Sequence, residues 1–180
     1  MITDEERQGD PLAALSALPR GSLVILRDYD HPERERLAHD LARACRRRGL
    51  HLLIAGSPEL AGRLRADGIH LPERLAHRAL AARLRRKTWL ITVAAHSLAA
   101  IRRARGFGAD AVLLGPVFPT RSHPGGPTLG PLRFAALVTQ ADLPVYALGG
   151  VSANVARRLA ATRAVGIAAI GAFTPSSESA

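Results

Sequence analysis

Eight short β-rich runs alternating with seven helical segments, at a repeat of about 25 residues, predict an α/β chain folded as a (β/α)8 TIM barrel. A doubly wound open sheet is the alternative for such an alternation. The chain has 180 residues, whereas such barrels average about 250, so this one is expected to be trimmed at both ends. Residues 1-173 form a single domain with hardly any first strand and no full eighth helix, and 174-180 form a polar tail.

The runs are Ile2-Thr3, Ser22 to Arg27, His51 to Ala55, Asp67 to Leu71, Thr88 to Val93, Ala111 to Gly115, Pro144 to Leu148 and Val165 to Gly171. Helices are predicted over Pro11 to Leu18, Glu33 to Arg48, Pro58 to Arg65, Glu73 to Arg86, Leu98 to Arg105, Pro131 to Gln140 and Ala153 to Ala161. Leu37, Leu41 and Cys45 recur every four residues and so share one helix face, with arginines around the rest. Cys45 therefore reads as a small core residue. Pro11, Pro58 and Pro131 stand near helix starts, where a missing N–H costs little. Ser57, Ser97 and Ser152 suit N-caps, and Gly49, Gly106 and Gly108 suit helix exits. Asp67 and Asp110 precede strands and read as turn residues rather than catalytic acids.

Composition narrows the function. Apolar residues make up 47% and charged ones 22%, which excludes a disordered or fibrous chain. No apolar run approaches the roughly 18 residues of a membrane span, and the N-terminus lacks a signal-peptide plan, so a cytoplasmic protein is expected. A lone cysteine leaves no disulfide framework and no cysteine-based zinc cage. The net charge of +10 suggests an anionic partner, yet all but one of the 25 basic residues are arginine. Their scatter over helix faces and the 4% of aromatic residues argue against nucleic acid.

Chemistry in such barrels sits at the C-terminal ends of the strands. There the seventh run ends in Gly149-Gly150 and the eighth in Ile170-Gly171-Ala172, where backbone N–H groups can approach an anion. The longest loop, residues 115–130, follows the sixth run, far above the usual 2 to 6 residues or so. Thr120, Arg121, Ser122 and His123 gather hydroxyls, a cation and an imidazole in it, which is phosphate-binding chemistry. His70, His96 and His123 are the candidate acid/base residues; His70 reads as a hydrogen-bonded residue at a strand end, and His123 is preferred for function.

The segment "GADAVLLGPVFPTRSHPGG", followed by "LGPLRF", "LPVYALGGVSANVARRL" and "GIAAIGAF", resembles the thiamine phosphate synthase/TenI family. "ITDEER", "VILRD", "ADGIHLPE" and "TVAAHS" fall in the matching order, so the resemblance runs from Ile2 to Phe173. It implies a (β/α)8 barrel that joins hydroxymethylpyrimidine diphosphate to thiazole phosphate with magnesium, releasing pyrophosphate. TenI-type members share the thiazole site and are linked to thiazole tautomerisation. Arg27 matches the family arginine that contacts the diphosphate, and Thr120 and Ser122 match the two hydroxyl positions of the loop. His123 stands where the synthase has lysine, and Gly150 with the backbone from Ile170 to Ala172 matches the thiazole-phosphate cradle.

The departures concern the metal. Ala55-Gly56 replaces an Asn-Asp pair whose Asp binds magnesium, and Leu75 replaces the second magnesium carboxylate. The glutamine and lysine flanking the family arginine are Ile25 and Tyr29, a family serine is Ala94, and Pro116 replaces the histidine of the tautomerases. Magnesium requires hard oxygen ligands; only Glu73 remains nearby, and it would have to shift. The resulting expectation is a protein that binds a phosphorylated thiamine precursor with the coupling weakened or lost and no certain cofactor. An active synthase and a non-catalytic precursor-binding or regulatory protein are the alternatives. A homodimer is expected because a missing eighth helix leaves apolar wall uncovered.

Overall fold

The computed structural model describes residues 1–4, 9–120 and 125–170. Its strands are short, and their period-two alternation divides the side chains between two cores. In β1 (Leu23–Leu26) Val24 and Leu26 face outward to the helices, while Ile25 faces inward. The remaining strands are β2 (His51–Ala55), β3 (Gly68–Leu71), β4 (Leu90–Ala95), β5 (Ala111–Leu114), β6 (Val145–Leu148) and β7 (Gly166–Ala168). All pair in parallel, in sequential order, as one curled seven-stranded sheet. Sequential order rules out the doubly wound alternative, in which the order reverses partway across the sheet.

Ile2, the centre of the first predicted run, makes an isolated parallel bridge to Ile25 rather than a strand. Its N–H donates to Ala169 O (3.0 Å), while Met1 O accepts from Ile25 N–H (2.9 Å). Residues 1–3 are therefore hydrogen-bonded both to β1 and to the end of β7. The inner cluster holds Ile2, Ile25, Leu53, Ala55, Leu113 and Ala168. Gly68 and Gly115 are required beside it because a Cβ on either would lie about 2 Å from the carbonyl oxygen of Leu90 or Leu148.

The helices are α1 (Pro11–Ala14), α2 (Arg34–Arg48), α3 (Pro58–Leu64), α4 (Arg78–Arg85), α5 (Leu98–Gly106), α6 (Gly130–Gln140) and α7 (Ala153–Ala156). Their apolar faces form the larger outer cluster with the sheet, and Leu41 and Cys45 of α2 are buried in it. Burial pushes the Cys45 thiol up to about 11. Ser57 and Ser97 accept from the N–H groups of Leu60 and Ala100 as N-caps. Ser152 occupies the cap position of α7 without a side-chain bond, and Gly106 is the last residue of α5. The helix predicted from Glu73 is split into a 3-10 turn (Glu73–Leu75) and α4. The strand predicted from Thr88 starts at Leu90, because Trp89 N–H still turns back to Arg86 O, and it runs on to Ala95.

The acids before β3 and β5 tie the strands together at their N-terminal ends. Asp67 accepts from Leu52 N–H (2.8 Å); Asp110 accepts from Ile91 N–H (2.7 Å), and both of its carboxylate oxygens accept from Arg83 Nη2. Both sites are partly solvated, so Asp110→Ala is expected to cost about 1 to 2 kcal/mol, chiefly from the unpaired Ile91 N–H, as read by urea unfolding.

Arginines also link successive units around the wall: Arg63 to Glu35, Arg85 to Glu59 (3.0 Å), Arg103 to Glu73 (2.9 Å) and Arg105 to Asp142 (2.8 Å). Part of the positive charge is thus spent between neighbouring elements, where each exposed pair contributes little. Among the described residues no helix is long and apolar enough to cross a membrane.

Candidate functional site

The C-terminal strand ends bring two groups of residues together. On one side, Gly149 and Gly150 leave β6 with φ of +91° and +65°, a conformation open to glycine at little cost. A Cβ on Gly149 would lie 2.7 Å from the Pro116 side chain, and one on Gly150 only 2.3 Å from Pro119 O. Val117 N–H donates to Leu148 O (2.9 Å) and Phe118 N–H to Gly149 O (3.0 Å). The loop after β5 is therefore locked onto the glycine turn, with Thr120 beside it. Arg158 lies over the Phe118 ring, 5.3 Å from its centre, closing the outer edge of this contact. Ile170, just past β7, packs against the inner cluster. Arg121, Ser122, His123, Gly171 and Ala172 lie outside the described residues, as does the 174-180 tail.

On the other side is Arg27, at the end of β1. Its backbone N–H donates to Thr3 Oγ1 (3.0 Å), and its guanidinium pairs with the buried carboxylate of Asp4. The partner comes from the N-terminal segment, 23 residues earlier in the chain, and only the fold brings the two charges together. His70, inside β3, is buried and shares a 2.9 Å hydrogen bond between its Nδ1 and the Thr92 hydroxyl. Burial lowers its pKa to about 4, and the charge of Arg27 adds to the effect. It is a neutral imidazole at neutral pH. His96 is exposed just after β4 and its Nδ1 is bonded to Gly115 O; a carbonyl only accepts, so Nδ1 carries the proton and Nε2 is the basic nitrogen.

The positions that correspond to the family's magnesium carboxylates do not fit a magnesium ion. Ala55, Gly56 and Leu75 offer no side-chain oxygen. Glu73 is already engaged, accepting from His96 N–H (3.1 Å) and from Arg103 (2.9 Å). Among the described residues no group of three or more His, Cys, Asp or Glu is arranged to hold a metal. Gly56 has a φ of +72°, and a Cβ there would meet Tyr29 Cε1 at 3.0 Å. Tyr29 itself is held by Arg34, whose guanidinium carbon is 5.7 Å from the ring centre. Both residues are departures visible in the sequence, and only the fold brings them into contact. Gly56→Asp together with Leu75→Asp is therefore expected to lower stability by about 1 to 2 kcal/mol, from the left-handed backbone alone, and to leave magnesium affinity undetectable by titration calorimetry.

A family model described as thiamine monophosphate synthase matches residues 1–173. The chain is 38% identical to "Putative thiamine-phosphate synthase" of Geobacter sulfurreducens, covering 96% of this chain and 84% of that protein. It is 32% identical to "Thiamine-phosphate synthase" of Methylococcus capsulatus, over 95% of this chain and 79% of the other. The fold is similar to that of a solved thiamine phosphate pyrophosphorylase from Pyrococcus furiosus, with a TM-score of 0.81 at 23% identity, over 97% of this chain and 86% of that one. With a fold and a sequence that agree over nearly the whole length, the chain belongs to the thiamine monophosphate synthase family.

Proposed function

We propose that this protein binds thiazole phosphate between the loop after β5 and the turns after β6 and β7, and that its coupling to hydroxymethylpyrimidine diphosphate is slow and nearly indifferent to magnesium. The observation that carries this reading is a contrast within one site. The Gly149-Gly150 turn is interlocked with the loop bearing Thr120, whereas the metal positions hold Gly56 and Leu75. Backbone donors at Gly149, Gly150, Ile170, Gly171 and Ala172 form the phosphate cradle in this reading. Thr120, Arg121 and Ser122 bind from the loop, Arg27 meets the diphosphate, and His123 is the acid/base group.

Incubating the protein with both precursors, with and without magnesium, while following thiamine phosphate and measuring each ligand's affinity separately, tests this. Thiazole phosphate binding with little product supports it. A normal rate strictly dependent on magnesium would make the protein an ordinary synthase. Binding of both precursors with no product at all would favour a non-catalytic binding protein, a reading that draws on the engagement of Glu73 by His96 and Arg103.

The same reading includes an eight-stranded closed barrel, supported by the bonds from residues 1–3 to both β1 and Ala169. It also includes a cytoplasmic homodimer. Val165 and Ile167, at and beside β7, are 57% and 40% exposed, and apolar wall of this kind is commonly covered by a second copy. A monomeric mass by sedimentation would count against the dimer.

A further inference from the structure

Gly115 follows β5, opens the long loop and is buried. Its N–H donates to Ala95 O (3.1 Å), which carries the pairing with β4 one residue past the end of β5. Among the described residues no backbone N–H donates to Gly115 O; the His96 Nδ1–H does. A buried carbonyl without a donor is costly, so the imidazole ring supplies the bond that the sheet no longer provides. His96 is itself held from behind. Its backbone N–H donates to Glu73 Oε2 (3.1 Å), and Glu73 Oε1 accepts from Arg103 Nη2 (2.9 Å). A continuous chain of hydrogen bonds thus runs from α5 through the turn after β3 to the root of the loop. Just beyond Gly115 the loop is bonded on its other side, by Val117 N–H to Leu148 O and Phe118 N–H to Gly149 O. The ring and the glycine turn therefore grip the same short stretch from two sides.

We propose that His96 is a positioning residue: through Nδ1–H it fixes Gly115 and so sets where the loop bearing Thr120 stands against the Gly149-Gly150 turn. A loop fixed before its ligand arrives loses less conformational freedom on binding. This role rests on the proposed function for the ligand, thiazole phosphate, and adds to that site a residue that acts through the loop. It belongs to Nδ1 rather than to Nε2, the nitrogen an acid/base role would use. Two amide side chains separate them, because asparagine places an N–H where Nδ1 stands and glutamine places its amide where Nε2 stands.

Amide hydrogen exchange of the ligand-free protein tests it, read at Val117 and Phe118 against the amides of β2. His96→Gln is expected to lower protection at Val117 and Phe118 about tenfold with β2 unchanged, and His96→Asn to stay within about twofold of the parent protein. Titration calorimetry should follow the same order, with thiazole phosphate binding about tenfold weaker in His96→Gln and restored in His96→Asn. Equal losses in the two variants, no loss in either, or a fall in protection that β2 shares would overturn the positioning role. Failure of the parent protein to bind thiazole phosphate removes the proposed function, whereas the exchange pattern decides the role of His96 without any ligand.

Discussion

Acidification from pH 6.5 to about 4 is expected to weaken the fold by about 3 kcal/mol through His70 alone. The imidazole is buried beside Arg27, its pKa is lowered from 6.5 to about 4, and each pKa unit corresponds to about 1.4 kcal/mol. The direction follows from proton counting. Between these two values the unfolded chain carries a proton on His70 that the folded chain does not, so stability falls as pH drops through that window. Above pH 6.5 both states are neutral and the contribution is complete. Carboxylates titrate in part of the same range, so the comparison that isolates His70 is with His70→Asn, which keeps a polar group near Thr92 but cannot titrate. Urea unfolding of both proteins at pH 7, 5.5 and 4 should show the variant less sensitive to acid by about 3 kcal/mol. Parallel curves would mean that the folded state takes up the His70 proton freely, and that the site is wetter than its burial indicates.

Gly150→Ala should be the most damaging single-methyl change at the candidate phosphate site. The added Cβ would lie 2.3 Å from Pro119 O and 2.7 Å from Phe118 O, both backbone atoms, and the residue would have to hold a φ of +65°. Overpacking and the left-handed conformation together are expected to cost on the order of 3 kcal/mol. The strain falls where the loop bearing Thr120 meets the glycine turn, so thiazole phosphate binding should be lost at temperatures where the rest of the chain stays folded. Gly62→Ala is the natural control. It adds the same methyl inside α3, where nothing lies within 4 Å, and should stabilise by about 0.5 to 1 kcal/mol. Equal stability of the two variants in urea would show that the loops are not interlocked.

Local rules carried far in this chain because most elements are short and regularly spaced. The Leu37, Leu41 and Cys45 face of α2 turns toward the sheet, Ser57 and Ser97 cap their helices, and Asp67 and Asp110 work as strand ties. Where those rules failed, a local bond intervened or was missing. Ser152 has the sequence of a cap without the bond, and Leu90 begins its strand late because the preceding turn reaches Trp89. Asp10 capping α1 and Arg65 ending α3 in a left-handed conformation went unread.

Strand and helix order, the long loop after β5 and the loss of the magnesium carboxylates are all local or positional properties, so they are legible along the chain. The partners of the site residues are not, because they come from segments far apart in the sequence. Asp4 is joined to Arg27, and Tyr29 is laid against Gly56, only when the strand ends converge. The same convergence commits Glu73 to His96 and Arg103, and sets Gly149 and Gly150 against the loop from Pro116 to Pro119. A residue's identity limits which bonds it can make. Curling of the sheet settles which of them it does make, by deciding whose backbone and charge come within reach.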